Sequence, residues 1–439
     1  MARLIYSLAW VLAFPFVLLL LLWRAYKRPA YRAHWLERFG FYRSDERLLV
    51  GQKIWIHAVS VGETRAAQPL VAMLLNDAKL SGRPLQIILT HMTPTGRKTG
   101  EEIFANLLTK GTLIQAYLPY DYAWAMRRFL HRFAPGLGLV METEVWPNLL
   151  AVAEQERVPV ALVNARLSEK SLAKGLRFES LIKPAALRFC SIVAQSDADA
   201  KRIALLTGRT DIVIAGSTKF DVTAPPEQLD LARQWRGAIK RPVLLMASSR
   251  DGEEAPMLAL WKRYCNSANS TIGAITPAAN LPLLVIVPRH PERFELVFNI
   301  AHAHNLQVTR RTECLPSQHS QVWIGDSMGE LFAYYGLADV ALIGGSFGGF
   351  GSQNCLEAMA AGCPVVVGPS RYNFEHIISE AIAVKAAIGA DSLEAAFNAA
   401  LALLQNPVQR DQMAAQAQAF CDAHQGATRK TLQALRPYL

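Results

Sequence analysis

The sequence predicts an α/β protein with two doubly wound, parallel-sheet domains behind an apolar N-terminal helix. Three observations carry this. From Lys53 onward, short apolar runs of strand length alternate with helical segments. Polar turns bearing glycine or proline follow these runs. Ahead of them, Leu4 to Trp23 is almost wholly apolar and carries no charge. Strands alternating with helices mean a parallel sheet covered on both faces.

A chain of 439 residues suits two domains, and its 51% hydrophobic content supplies two cores without low-complexity tracts. The net charge of +10 suits nucleic acid, an anionic membrane surface or a phosphorylated substrate. The six cysteines are scattered, with no C-x-x-C pair and no zinc spacing. That pattern favours buried free thiols in a reducing compartment over disulfides or a metal.

The run Leu4–Trp23 has about the length that spans a bilayer as a helix. Pro15 is tolerable there, and Trp10 and Trp23 suit interface anchors. Arg24, Lys27, Arg28, Arg32 and Arg38 lie just beyond it, against Glu37 alone, with only Arg3 upstream. The positive-inside rule puts the chain beyond Trp23 in the cytoplasm. The rival reading, a cleaved signal peptide, lacks a small-x-small site after the apolar run. Tyr26, Tyr31, Trp35 and Phe39 interleave the basic residues of 24–43, as in a segment lying on anionic headgroups. The expected divisions are an anchor at 1–23, a basic membrane-proximal segment at 24–52, and domains at 53–224 and 225–439, the second ending in packing helices.

In the first domain, strands are expected at Ile54–Val59, Leu85–Thr90, Leu113–Leu118, Leu137–Met141, Val158–Val163, Ser191–Gln195 and Ile212–Ala215. Ligands of such sheets lie beyond the strands' C-terminal ends. Ser60-Val-Gly-Glu63 comes after the first strand. Glu63 opens a helix, where the dipole keeps a carboxylate ionised as a base, or it merely caps that helix. Thr90-His-Met-Thr-Pro-Thr-Gly96 comes after the second strand. Glu142-Thr-Glu144 comes after Met141; if extended, the two carboxylates point in opposite directions, so only one faces a ligand. Gly216-Ser-Thr-Lys219 comes after Ala215; Lys219 neutralises an anion or pairs with Asp221. Asp197-Ala-Asp199 stands at a helix start behind Ser196, where acids are expected without a metal.

After Pro225-Pro226, a second series begins at Pro242–Ala247 and continues through Leu283–Val287, Val322–Ile324, Asp339–Ile343 and Val365–Val367. Pro288-Arg289 ends one strand, and an arginine there can pair a phosphate in bidentate fashion. Gly325-Asp-Ser-Met328-Gly329-Glu330 ends the next. Gly344–Gly351 is a glycine-rich turn, with Ser352-Gln353-Asn354 as helix cap and Cys355–Ala361 as helix after it. Unpaired N–H groups and the helix dipole make this an anion site, with Glu357 suited to sugar hydroxyls; an ordinary strand–turn–helix unit is the alternative. Two doubly wound domains facing each other across a cleft is the GT-B glycosyltransferase plan, nucleotide in the second domain, acceptor and base in the first.

Over nearly its whole length the chain resembles the bacterial 3-deoxy-D-manno-octulosonic acid (Kdo) transferases. The matching pieces are Ser60–Glu63, Met92–Gly96, Leu118–Asp121, Met141–Leu149, Asn164–Ser168, Gly216–Asp221, Val287–Arg293, Gly325–Leu331, Asn354–Glu357 and Asn373-Phe374. The resemblance implies an inverting, metal-independent transfer of Kdo from CMP-Kdo to a phosphorylated lipid A precursor (lipid IVA) at the cytoplasmic face of the bacterial inner membrane. It implies Glu63 as base, Glu142 or Glu144 with Lys219 as transition-state stabilisers, and Arg289 with Pro288 on the CMP phosphate. Met328, Gly329, Glu330, Gln353, Asn354, Cys355, Leu356 and Glu357 would line the nucleotide and its ribose. The chain departs from the family pattern at Gly351-Ser352-Gln353, where the family has glycine-glycine-histidine, and at Arg250 and Ser370, where it often has histidine. A related octulosonic acid as donor, or a nucleotide-sugar epimerase on the same fold, is the alternative. Nucleic-acid binding is not expected, because no aromatic–basic motif lies outside the anchor region.

Overall fold

The computed structural model describes residues 1–43, 48–222, 224–271 and 281–439; part of the basic segment expected at 24–52 falls outside them. The chain divides into two compact units, Met1–Asp221 with His424–Leu439, and Val222–Ala423.

The first unit holds seven strands: β1 (Gln52–His57), β2 (Leu85–His91), β3 (Leu113–Tyr117), β4 (Leu137–Met141), β5 (Val160–Ala165), β6 (Ser191–Ala194) and β7 (Val213–Ile214). Their order is β3-β2-β1-β4-β5-β6-β7, each neighbouring pair parallel. β1 and β4 are central, and their residues Trp55, Ile56, Leu139 and Val140 are at most 1% exposed. The apolar runs are continuous because helices cover both faces of a parallel sheet. The chain leaves β1 toward one edge and returns at β4 toward the other, so the gap between them is the switch point where such sheets bind ligands.

The second unit repeats the plan with β8 (Val243–Ser249), β9 (Leu283–Pro288), β10 (Val308–Arg310), β11 (Val322–Ile324), β12 (Val340–Ile343), β13 (Val365–Val367) and β14 (Ala387–Gly389), in the order β10-β11-β9-β8-β12-β13-β14. These pairs are also parallel, and the switch point lies between β8 and β12.

The boundary drawn from sequence at 224/225 lies between Asp221 and Val222 in the structure, and residues 424–439, grouped from sequence with the second domain, sit in the first unit. The helix Ala427–Leu435 packs on β5, β6 and the helix Val61–Leu80. Asp221 fastens its start, its carboxylate accepting from the N–H groups of Gly426 at 2.6 Å and of Thr428. Phe220 stacks on His424 with centroids 4.6 Å apart.

The basic segment also differs from its expected place on headgroups. Glu37, Arg38 and Phe39 are buried. Arg38 donates to the carbonyl of Met92 and lies 4.0 Å above the Tyr117 ring, while Glu37 accepts from Arg97 and from the Tyr117 N–H. This part of the segment closes the β2–β3 side of the sheet; Arg24, Lys27, Arg28 and Arg32 remain exposed.

Asp221→Ala removes the acceptor for two helix-start N–H groups. It should lower the stability of the first unit by about 1–2 kcal/mol, and hydrogen exchange should show the loss concentrated in Ala427–Leu435.

Candidate active site

Glu63 stands in the first turn of the helix Val61–Leu80. Its Oε2 accepts from the Val59 N–H at 2.8 Å and its Oε1 from the Ser60 hydroxyl at 3.0 Å, while Ser60 Oγ accepts from the Glu63 N–H at 3.4 Å. This is a reciprocal cap, so the capping role is real, and it also fixes the side chain at the end of β1. Sequence reasoning put the carboxylate under the control of the helix dipole. The structure gives burial the larger effect: Glu63 is 9% exposed. Loss of water raises its pKa to about 7, with the charges of Glu142 and Glu144 adding to the rise and the two hydrogen bonds opposing it.

Across the switch point, Glu142 stands just past β4 in the left-handed region at φ 58°. The strand therefore ends abruptly there, and the side chain leaves the extended alternation assumed from sequence. Its Oε1 lies 3.6 Å from Lys219 Nζ. Lys219 thus pairs with Glu142; Asp221, the partner weighed from sequence, is occupied by the C-terminal helix. Glu144 accepts from the Trp146 indole N–H at 2.5 Å, and burial holds its carboxyl above the usual range. The charges of both carboxylates act on Glu63.

The Lys219 turn is braced from the sheet. Asn164, itself at φ 51°, accepts from the Thr218 N–H at 3.1 Å, and the Thr218 hydroxyl donates to the carbonyl of Ala66 at 2.8 Å. Asn164, Trp146 and His57 were not singled out from sequence as functional residues. Fully buried His57 meets Trp146 edge-on, centroids 5.5 Å apart. Burial lowers the His57 pKa to about 3, so its imidazole is neutral beside Trp146. Asp197-Ala-Asp199 does helix work: Asp199 accepts from the Leu167 N–H at 2.9 Å and pairs with Arg202.

In the second unit the glycine turn departs from the expected anion cradle. The carboxylate of buried Glu253 accepts from the N–H groups of Gly345 at 2.8 Å, Phe347 at 2.9 Å, Gly348 at 3.2 Å and Arg250 at 2.8 Å. The protein fills this cradle with its own anion. Gly344 is needed because a Cβ would stand 2.4 Å from the Ser248 carbonyl oxygen. Asn354 caps the short helix beyond the turn, accepting from the Leu356 N–H at 3.0 Å and donating to Glu357 at 3.0 Å. Cys355 and Leu356 are at most 1% exposed; their side chains are core and leave a ligand only their backbone. Gln353 and Glu357 remain half-buried.

Pro288 ends β9 and is buried, and Arg289 beside it is half-buried, its N–H donating to the Ser249 carbonyl. Met328 is 54% exposed, Gly329 is left-handed at φ 81°, and Glu330 pairs with Arg311 at 2.9 Å. Among the described residues no group of three or more histidine, cysteine, aspartate or glutamate side chains could hold a metal ion.

Two doubly wound units, each with polar residues gathered at its switch point, fit the fold of GT-B glycosyltransferases. Comparison agrees: residues 33–222 match the 3-deoxy-D-manno-octulosonic-acid transferase family model, and residues 302–420 match glycosyl transferases group 1. The 3-deoxy-D-manno-octulosonic acid transferase of Bordetella pertussis is 43% identical over 92% of this chain and 91% of its own length. That of Haemophilus influenzae is 33% identical over 100% of this chain and 99% of its own. The chain therefore belongs to the Kdo transferase family, glycosyltransferases of lipopolysaccharide synthesis. The structure of UDP-GlcNAc 2-epimerase from Neisseria meningitidis, at 14% identity and a TM-score of 0.53 over 88% of this chain and 100% of its own, shares the fold.

Glu253→Ala leaves the turn's N–H groups without their acceptor and should destabilise the second unit by about 1–3 kcal/mol, measured by urea unfolding. Glu63 has a folded pKa raised from 4.5 to about 7, so the folded state holds its proton more tightly than the unfolded state. Its penalty is absent below the unfolded pKa, grows as pH rises from 4.5 to about 7, and is constant above. Glu63→Gln should gain stability relative to wild type across that window, and a difference independent of pH would contradict the assignment.

Proposed function

We propose that this enzyme transfers Kdo from CMP-Kdo to a phosphorylated lipid A precursor by single displacement with inversion, without a metal ion. Glu63 takes the proton from an acceptor hydroxyl, which attacks the anomeric carbon as CMP departs. The observation that supports this best is the setting of Glu63. A fixed carboxylate with a pKa of about 7 is half ionised at neutral pH and strong enough to accept a proton, the compromise a general base needs. Glu142 and Glu144 raise its basicity, and Lys219 beside Glu142 balances charge as the transition state forms.

On the donor side, Arg289 beside Pro288 holds the CMP phosphate. Met328, Gly329, Glu330, Gln353, Asn354 and Glu357 line the nucleotide, with Cys355 and Leu356 contributing through their backbone. Because Glu253 already occupies the glycine-turn amides, the phosphate depends on side-chain cations more than on that turn. The N-terminal helix Ala2–Lys27 is long and apolar enough to cross a membrane. In this reading it anchors the enzyme to the bacterial inner membrane, with both units on the cytoplasmic face, where Arg24, Lys27, Arg28 and Arg32 gather an anionic lipid acceptor.

Purified enzyme given CMP-Kdo and lipid IVA in EDTA should add Kdo to the lipid, read as a mass increase by mass spectrometry. An unchanged lipid beside intact CMP-Kdo would count against this donor and favour a related octulosonic acid. Glu63→Ala should lower turnover by about 10²–10⁴-fold with KM for CMP-Kdo little changed. In the wild type, kcat/KM should fall about tenfold per pH unit below the Glu63 pKa.

A further inference from the structure

The N-terminal helix is apolar on nearly every side, yet it does not stand free of the first unit. The Tyr6 hydroxyl donates to Asp121 at 3.0 Å and the Ser7 hydroxyl to Asn148 at 2.9 Å. Trp10 stacks on Tyr120 and meets Tyr122 edge-on, with centroids 6.1 and 5.3 Å away, and its carbonyl accepts from the Tyr122 hydroxyl. Phe14 packs on Phe39 and Tyr122, and Leu21 is 2% exposed in a cluster with Phe39, Tyr122 and Ala125. The contact runs from Tyr6 to Leu21, about 22 Å at 1.5 Å per residue. The opposite stripe, Ile5, Leu8, Leu12, Phe16, Leu19 and Trp23, is exposed throughout at the spacing of one helix face.

A helix crossing a bilayer is surrounded by hydrocarbon for about 30 Å. Crossing in this docked state would carry the adjoining helices Pro147–Gln155 and Glu179–Ala186, with exposed Glu154 and Glu179, into that layer, at a cost of about 2.5–3.5 kcal/mol per charge or more. Laid flat, the same helix puts only its outer stripe into the acyl boundary, about 5–10 Å deep. Exposed Arg24, Lys27, Arg28 and Arg32 then meet anionic headgroups at its end, and Lys27 lies 4.3 Å over the Trp23 ring.

We propose that the N-terminal helix, held on the first unit, binds an anionic bilayer lengthwise and enters one leaflet without crossing. This goes beyond membrane anchoring as such and is independent of the transfer chemistry.

The test adds full-length protein to preformed sealed vesicles of phosphatidylethanolamine and phosphatidylglycerol. Ala2→Cys, in a Cys314→Ser background that removes the exposed thiol, is treated with a membrane-impermeant maleimide. The one-leaflet helix is labelled to the same extent with and without detergent. Labelling only after detergent means that the N-terminus has crossed, and overturns the proposal. Separately, Ser7→Cys with Asn148→Cys should oxidise to a disulfide on the vesicles, the linked protein still floating with them; linkage confined to unbound protein overturns it as well. Leu12→Glu with Phe16→Glu should weaken vesicle binding roughly tenfold or more, and unchanged binding would rule out the outer stripe. Kdo transfer is read on the same vesicles, so that lost transfer with unchanged labelling counts against the enzymatic reading alone.

Discussion

Parallel pairing is the constraint on which the rest depends. Because each neighbouring pair in both sheets is parallel, the C-terminal ends of seven strands share one edge in each unit, and the loops at those ends are brought together however far apart they lie in sequence. Glu63, Glu142 and Lys219 span more than a third of the chain, yet each is the first ionisable residue of its kind beyond β1, β4 and β7. The switch point between β1 and β4 opens a gap that no crossover helix fills, and the carboxylates flank it. Burial of the strands, with Trp55, Ile56, Leu139 and Val140 almost wholly covered, holds this edge rigid.

The two units use an acid near a helix start in opposite ways. Glu253 accepts four backbone N–H groups, and its carboxylate is a structural strut for the glycine turn. Glu63 accepts one backbone N–H and one hydroxyl, leaving lone pairs for a proton. The geometry of capping is shared; the number of donors separates the strut from the base proposed at Glu63.

Much of this was legible in the sequence, because buried parallel strands are runs of Ile, Leu and Val bounded by glycine and polar residues. The reciprocal cap at Ser60–Glu63 was readable from the motif. What escaped were interactions between residues far apart in the chain. Asp221 reaches Gly426 across 205 positions, and no local pattern reveals that a C-terminal helix returns to the first unit. The glycine turn had every local mark of an anion site; that Glu253 fills it depends on β8 lying beside β12. The position of Glu142 turned on a left-handed backbone that its residue type gives no reason to expect.

The same distinction decides the chemistry at Glu63. Locally, a first-turn glutamate is stabilised as an anion by the helix dipole, an effect of about 0.3–1 kcal/mol. Tertiary structure opposes this with burial and two neighbouring carboxylates, and a displacement from 4.5 to about 7 corresponds to a larger energy than the dipole provides. Were Glu63 exposed, it would remain ionised at neutral pH and be too weak a base to accept a hydroxyl proton readily. Were Lys219 placed against Glu63 rather than Glu142, direct pairing would pull its pKa back down. The lysine instead neutralises the neighbour, with Asn164 and Thr218 fixing the turn that carries it, so the site keeps a basic carboxylate within a cluster whose net charge is moderated.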